Sequence, residues 1–250
     1  MNESINHLSD IIKSSHKIVF FGGAGVSTES NIPDFRSENG LYRTASGSAY
    51  PPETMLSRSF FDAHTLEFYE FYREKILYPQ ARPNRAHCAL AQLEANGKLK
   101  AVVTQNIDGL HQMAGSKNVI ELHGSVLRNY CTSCKAFYDL EYIVSSSSTV
   151  PRCSVCGGLI KPDVVLYEEA LDDSVVENAV AAIASADTLI VGGTSLVVYP
   201  AAGLLRYFRG SSLVLINKSS TQYDSRADLV IHDSIGSVLH GAVFAQCDYK

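Results

Sequence analysis

The sequence FFGGAGVST at residues 20–28 joins an apolar run to a glycine-rich turn. The run begins at Lys17 and predicts a strand over residues 17–21. Glycines after a strand let the backbone approach a ligand closely and aim its N–H groups at a phosphate. Gly23 and Gly25 supply two positions of the dinucleotide-binding fingerprint, whereas Thr28 occupies the third. This stretch alone leaves two interpretations open, a phosphate-binding turn and a strand-to-helix turn without a ligand.

The residues after this turn argue against a hydride-transferring dehydrogenase. That class needs a second strand that ends in an acidic residue about 20 residues on, where it holds the cofactor ribose. Here the sequence PDFR at residues 33–36 interrupts the pattern, and Tyr-, Ser- and Pro-rich sequence follows. If a dinucleotide binds, we expect one charged and one aromatic side chain on a loop over it. Such a loop suits chemistry at the ribose better than hydride transfer.

Composition narrows the class of protein further. The 250 residues, 46% of them hydrophobic, are enough for one sizeable core and a small additional domain. The net charge of −5 and the lack of a long basic run argue against nucleic acid as a direct partner. No apolar stretch approaches the ~18 residues of a membrane span, and no secretion signal is evident at the N-terminus. We therefore predict a cytoplasmic protein with reduced cysteines and no membrane partner.

Strand-like and helix-like stretches alternate along most of the chain. Helices are predicted at residues 3–15, 86–96, 175–185, 201–208 and 235–244, and strands at 17–21, 100–104, 118–122, 188–192, 212–216 and 229–231. This alternation predicts an α/β fold built on a doubly wound parallel, Rossmann-like sheet. The alternation is interrupted before residue 162, where a small module is inserted into the chain, and it returns after that residue.

Polar residues follow the carboxyl ends of three of these strands. The first strand leads into Gly-Ala-Gly, the second into Asn106 and Asp108, and the third into His123. Open α/β sheets bind ligands at this edge, so the three groups are expected to face one crevice. A single histidine after a strand is more often a hydrogen-bonded structural residue than a base, but the three groups together favour a site.

Two Cys-x-x-Cys pairs indicate a metal site. Cys131 and Cys134 are separated from Cys153 and Cys156 by 18 residues, a spacing typical of a four-thiolate zinc site. Four protein ligands leave no open position for water on the metal. We therefore expect one structural zinc rather than a catalytic one.

Several motifs, in order along the chain, closely resemble those of the sirtuins, which are NAD-dependent protein lysine deacylases. They are GAGVS at residues 23–27, IPDFR at 32–36, TQNIDGLH at 104–111, LHG at 122–124, the two Cys pairs, GTSL at 193–196 and INK at 216–218. The chain resembles a bacterial-type sirtuin. The resemblance implies that NAD lies between a Rossmann-like domain, residues 1–37, 87–123 and 162–250, and a small domain, residues 38–86 and 124–161. In the small domain, residues 38–86 would form a helical module and residues 124–161 the zinc module.

The resemblance also implies a cofactor site. The residues expected to contact NAD are Gly23, Ala24, Gly25, Thr28, Asp34, Phe35, Arg36, Gln105, Asn106, Ile107, Asp108, His123, Gly193, Thr194, Ser195, Asn217, Lys218 and Ile235. Among them the three residues at 23–25 would approach the pyrophosphate. Phe35 would shield the reactive ribose carbon after nicotinamide leaves.

The same resemblance assigns catalysis and substrate binding. His123 would be the general base, because a histidine titrates near neutral pH, and Asn106 and Asp108 would order the reacting centre. The acyl-lysine peptide would add as a strand between two loops. The residues that would contact it are Val164, Val165, Tyr167, Leu196 and Val197. The acyl group would pass to ADP-ribose, with release of nicotinamide and free lysine.

The chain departs from the family pattern at Gly22, where threonine is common, and in two further places that concern the substrate. Glu168 replaces the glycine of the family's Phe-Gly-Glu in the first peptide loop, and its charge is expected to favour peptides with basic flanks. Family members that remove acidic acyl groups carry Tyr-x-x-Arg over the acyl pocket, whereas Tyr69 is followed at that spacing by Tyr72. Arg73 is one residue late, about 100° around a helix. We therefore expect acetyl and other neutral acyl groups to be preferred over succinyl.

Two rival functions stay open on sequence grounds. Some sirtuin-like proteins transfer ADP-ribose to protein, although the intact His123 favours deacylation here. A non-catalytic zinc-ribbon binding protein is the rival from a different class. The net charge of −5 and the presence of Asn106, Asp108 and His123 argue against this non-catalytic rival.

Overall fold

The computed structural model describes residues 3–35, 40–44 and 50–244. Its strands are β1 (Ile18–Gly22), β2 (Leu99–Thr104), β3 (Val119–Glu121), β4 (Gly124–Cys131), β5 (Phe137–Asp139), β6 (Ile160–Val164), β7 (Thr188–Gly192), β8 (Ser212–Ile216) and β9 (Leu229–Ile231). Its α-helices are α1 (Glu3–Ser14), α2 (Leu41–Thr44), α3 (Pro52–Met55), α4 (Arg58–Ala63), α5 (Thr65–Lys75), α6 (Arg85–Ala95), α7 (Leu110–Met113), α8 (Leu140–Ser145), α9 (Asp173–Ser185) and α10 (Ile235–Phe244).

In the described residues, six strands form a parallel sheet in the order β3-β2-β1-β7-β8-β9. The chain therefore builds one half of the sheet outward from β1 and the other half outward from β7. Both central strands are buried along their whole length, which explains their uninterrupted apolar sequences. The strand order reverses between β1 and β7, and the crevice at their carboxyl ends is the place where such sheets bind ligands. The predicted fold class is confirmed.

Helices cover both faces of this sheet. The apolar stripes of α1, α6 and α10 pack on one face, where Leu8, Leu90 and Leu239 are fully buried. On the other face, α9 packs beside residues Ala201–Tyr207. The helix predicted at residues 201–208 is a 3₁₀-helix rather than an α-helix. An apolar pattern of only seven residues does not distinguish a period of 3.0 from one of 3.6.

A second, smaller module stands beside the parallel sheet. Strands β5, β4 and β6 form an antiparallel sheet, and α3, α4, α5 and α8 pack against it around an aromatic core. Phe61, Phe68, Tyr69 and Tyr72 are all buried there and contact one another edge-on or stacked. Strand β6 lies in this small sheet, across the domain boundary predicted at residue 162. The domain boundaries themselves stay a prediction.

Two buried histidines lie where the small helix α7 meets α6. The rings of His87 and His111 are 4.7 Å apart, and among the described residues neither ring nitrogen of His111 has a hydrogen-bond partner. Burial lowers the pKa of His87 to about 4 and that of His111 to about 3. Both rings are therefore neutral in the folded protein at pH 7, whereas a histidine in the unfolded chain is half protonated near pH 6.5.

We expect acid to destabilise the fold through this pair. The folded pKa values are depressed, so the stabilisation is present above pH 6.5 and is lost as the pH falls towards 4, by about 1–2 kcal/mol per histidine at pH 5. Denaturant unfolding at pH 7 and pH 5 measures the loss. Because the predicted zinc site also weakens in acid, the informative quantity is the difference between variants. His111→Gln should reduce the pH dependence and the exposed His7→Gln should not; equal slopes in all three proteins would contradict the assignment.

Candidate active site

The glycine turn after β1 packs directly on the turn after β7. The Gly25 N–H donates to the Gly193 carbonyl oxygen at 2.8 Å, and a Cβ atom on Gly25 would lie only 2.8 Å from the Gly193 Cα. Gly193 itself has a φ of +61°, in the left-handed region that favours glycine. Close approach of two backbones therefore requires these glycines whether or not a phosphate binds. Their predicted contact with NAD stays a prediction.

A hydrogen-bonded cluster joins the first turn to the end of β2. The Ser27 hydroxyl donates to Asp108 Oδ2 at 2.6 Å and accepts from Asn106 Nδ2 at 3.1 Å. Burial raises the pKa of Asp108, while the hydrogen bonds from Ser27 and the Leu110 N–H oppose that rise. Ser27 is 1% exposed and was not among the predicted site residues. The sequence feature that could have identified Ser27 as a site residue is its position in the first motif, two residues after Gly25.

A second cluster links the ends of β2, β7 and β8. Gln105 Nε2 donates to Thr194 Oγ1 at 3.1 Å, and the Thr194 N–H donates to Asn217 Oδ1 at 2.9 Å. Among the described residues, the buried Asn217 Nδ2 has no hydrogen-bond partner. An unpaired buried donor is costly, so this atom fits a site completed by a polar ligand. The arrangement is compatible with the predicted cofactor site.

His123 connects the two sheets of the protein. It follows β3, and β4 begins at the next residue. The ring Nδ1 lies 2.9 Å from the Gln105 carbonyl oxygen, which accepts only from a protonated Nδ1. The neutral ring then carries its lone pair on Nε2, as a general base requires. Burial lowers the pKa of His123, so the ring is neutral at pH 7.

The remaining predicted cofactor residues differ in their surroundings. Asp34 and Phe35 accept backbone hydrogen bonds from Leu41 and Tyr42 at 2.7 and 3.0 Å, which ties residues 34–35 to α2. Arg36 lies outside the described residues. The other members of the set include buried Ile235, exposed Ser195 and Lys218, and Thr28, whose hydroxyl donates to the Gly25 carbonyl.

The predicted peptide residues form two segments, one of which is hydrogen-bonded to His123. In the peptide segment, residues 164–169, the Val165 N–H donates to the His123 carbonyl oxygen at 3.0 Å. In the second, Val197 is 52% exposed, whereas Leu196 is 1% exposed and its carbonyl accepts from Gln222. The Leu196 side chain is therefore part of the core. The predicted peptide contacts of Leu196 and Val197 stay predictions.

The aromatic residues considered for acyl choice belong to the core of the small module. The Tyr69 hydroxyl donates to the Ile160 carbonyl oxygen at 2.5 Å, and Tyr72 is 1% exposed. The Arg73 guanidinium donates to the carbonyl oxygens of Ser148 and Thr149, both at 3.0 Å. Arg73 is thus engaged by the loop after α8, in agreement with the helical displacement expected from the sequence.

The four predicted zinc ligands converge. The sulfur atoms of Cys131, Cys134, Cys153 and Cys156 all lie within 4.8 Å of one another. The distance from Cys131 to Cys156 and the distance from Cys134 to Cys153 are both 3.5 Å. These separations exceed a disulfide bond and match the edges of a tetrahedron with bonds of ~2.3 Å, the Zn–S distance. The donor set therefore fits one structural zinc. In addition, the Tyr138 hydroxyl donates to Cys153 Sγ at 3.1 Å and lowers the pKa of that thiol to about 6.

Comparison with known proteins gives one consistent match. A profile of the Sir2 family matches residues 23–200. A Clostridium acetobutylicum protein named NAD-dependent protein deacetylase is 66% identical over 96% of this chain and 98% of its own length. A Cutibacterium acnes protein of the same name is 57% identical over 93% and 94%. Within the described residues, no helix has both the length and the apolar composition needed to cross a bilayer.

Solved structures agree. One described as "Structural Basis for the Mechanism and Regulation of Sir2 Enzymes" superposes with a TM-score of 0.87 at 40% identity, covering 97% of both chains. Another, described as "Sir2-p53 peptide-NAD+", superposes with a TM-score of 0.86 at 39% identity over the full length of both chains.

Proposed function

The chain belongs to the Sir2 family, and on that premise we propose that it is an NAD-dependent protein deacetylase with His123 as its general base. It removes the acyl group from acyl-lysine in protein or peptide substrates and transfers it to ADP-ribose, with release of nicotinamide. The observation that carries the role of His123 is its hydrogen bond to the Gln105 carbonyl, which leaves Nε2 free to accept a proton beside the peptide segment.

NAD, when bound, supplies the ADP-ribose that accepts the acyl group. Asn217 Nδ2 is proposed to bind its adenosine portion. The glycine turn at residues 23–25 is proposed to approach its pyrophosphate, because glycines let the backbone come close to a ligand. Asn106 and Asp108 are proposed to hold the ribose and nicotinamide end, with Ser27 fixing both side chains. Phe35 is proposed to exclude water from the reacting ribose. In this arrangement each side chain is already oriented by a neighbour, which reduces the cost of ordering it.

The peptide is proposed to lie as an added strand between the peptide segment and Val197. Backbone hydrogen bonds would then supply affinity without reading much sequence, as in other cases of strand addition. The His123 carbonyl accepts from the Val165 N–H, and this contact supports the proposal that the imidazole lies next to the lysine of such a strand. The predicted cytoplasmic location is consistent with this role and stays a prediction.

One experiment tests the activity against both rivals. The protein is incubated with NAD and an acetyl-lysine peptide, and the products are identified by mass spectrometry. Deacetylation predicts equal amounts of nicotinamide, free lysine peptide and O-acetyl-ADP-ribose. ADP-ribose attached to protein without loss of acetyl would favour the transferase instead, and no release of nicotinamide would favour a non-catalytic zinc protein.

Acyl choice is a separate prediction. Tyr72 is buried and Arg73 is held by backbone carbonyls, so neither supplies a free cation for a carboxylate. A succinyl group entering the pocket would lose its hydration without a partner, at a cost of several kcal/mol. We therefore expect kcat/KM for an acetyl or butyryl peptide to exceed that for the matched succinyl peptide by about 100-fold. Equal turnover of acetyl and succinyl peptides would show that another cation reaches the acyl group.

A further inference from the structure

The peptide segment is fastened to the junction of α3 and α4. The Tyr167 N–H donates to the Leu56 carbonyl oxygen and the Tyr167 carbonyl accepts from the Arg58 N–H, each at 3.0 Å, so that Ser57 and Tyr167 form a short parallel bridge. The Tyr167 side chain remains 40% exposed. The backbone of this residue is therefore fixed while its ring projects from the segment.

Glu168 strengthens that attachment. Its φ of +75° is a conformation that favours glycine, and a charged side chain there needs compensation. The carboxylate accepts from both the backbone N–H and the hydroxyl of Ser59, each at 2.9 Å. The charge predicted to face the peptide is thus bonded to the start of α4, although the side chain stays exposed. The preference for basic flanks remains a prediction.

The ring of Tyr167 extends to α2, which contacts the predicted cofactor residue Phe35. Its hydroxyl lies 2.5 Å from the hydroxyl of Tyr42 in α2. Tyr42 in turn donates its backbone N–H to the Phe35 carbonyl oxygen at 3.0 Å and packs edge-on against the Phe35 ring, with centroids 5.8 Å apart. One pair of hydroxyls therefore connects the peptide segment to Phe35, the residue proposed to exclude water from the ribose.

We propose that Tyr167 is a positioning residue that couples peptide binding to the placement of Phe35 through Tyr42. A peptide strand beside the peptide segment restrains Tyr167, the hydroxyl pair passes that restraint to Tyr42, and Tyr42 holds Phe35 over the ribose. The link needs both hydroxyls, so a phenylalanine at either position would remove it and keep the ring. The proposal rests on the deacetylase function and adds a specific route between its two substrates.

The test uses single hydroxyl deletions and their combination. Tyr167→Phe and Tyr42→Phe each remove one partner of the same bond, so each should lower kcat/KM for NAD by about 3- to 10-fold. The double variant should be no worse than either single variant, because only one bond is lost. Peptide affinity without NAD should change less than about twofold, because the backbone bonds of Tyr167 remain. Tyr130→Phe, which removes a similarly exposed hydroxyl from the zinc module, is the matched control and should equal wild type.

The outcomes separate this proposal from the function on which it rests. No deacetylation by the wild-type protein would remove the function itself. An active wild type with unchanged single variants, with single effects that multiply in the double variant, or with an equal loss of peptide affinity would overturn the coupling alone. Melting temperatures of all variants, expected within about 2 °C of wild type, show that the kinetic effects do not arise from unfolding.

Discussion

His123→Ala is expected to lower the rate of deacetylation by about 100-fold or more, the contribution typical of a positioned general base. The variant removes Nε2 together with the ring that the Gln105 carbonyl orients. The backbone bond between His123 and Val165 does not involve the side chain, so the peptide segment stays in place. NAD binding, measured by calorimetry, and the melting temperature should therefore change little.

The matched control is His16→Ala, which removes an exposed histidine outside the site and should keep wild-type turnover. Turnover of His123→Ala within a few fold of wild type would contradict the assignment. A loss of NAD binding equal to the loss of rate would indicate a binding role in place of a base.

The pH dependence supplies an independent check on the same residue. Burial depresses the pKa of His123, and a base must be neutral to act. Activity should therefore be complete above the depressed pKa and should fall as the pH drops through it, which places the acid limb of kcat/KM below pH 6.5. An acid limb centred above pH 7 would mean that a different group, or a raised pKa, controls the reaction.

Cys131→Ala is expected to lower the melting temperature by about 10 °C or more and to abolish activity indirectly. Cys131 is fully buried in the aromatic core of the small module, so loss of this ligand disturbs that core as well as the metal site. Cys131 also ends β4, the strand that begins directly after His123. Disorder in the zinc module would therefore reach the base and the peptide segment.

Metal analysis by mass spectrometry should find one zinc per chain in the wild type and none in Cys131→Ala. Cys88→Ala removes an exposed thiol outside the cluster and should retain zinc, stability and activity. A fully active wild-type preparation without zinc would refute the structural role of the metal.

The sequence predicted those parts of the protein that depend on local pattern. Buried runs such as Leu189–Val191 and the glycines around residue 25 identify strands and turns, because periodicity and backbone freedom are local properties. The Cys spacing predicted the cluster of four cysteines for the same reason. The order of strands in the sheet was constrained by general rules of α/β topology.

Contacts between distant residues were not predictable in this way. The bond between Tyr42 and Tyr167 joins residues 125 apart, and neither tyrosine carries a local signal of its partner. Glu168 has a positive φ, which local sequence preference does not predict for a glutamate. The hydrogen bonds from Ser59 to its carboxylate compensate for this conformation, and they form only in the folded protein. The antiparallel strands β4 and β6 were missed because their pairing follows from tertiary contacts with the zinc module and α5.

The pairing of β1 with β7 has a consequence for how the protein is made. Ile18 pairs with Thr188, so the centre of the sheet closes only after about three quarters of the chain has left the ribosome. Thr194 and Asn217 lie still later, beyond β7 and β8. During synthesis the exposed edge of β1 has no permanent neighbour on that side, and such long-range parallel pairings form slowly. The nascent chain therefore lacks residues proposed to bind NAD until translation is nearly finished. A chaperone that protected this edge would act before the cofactor could.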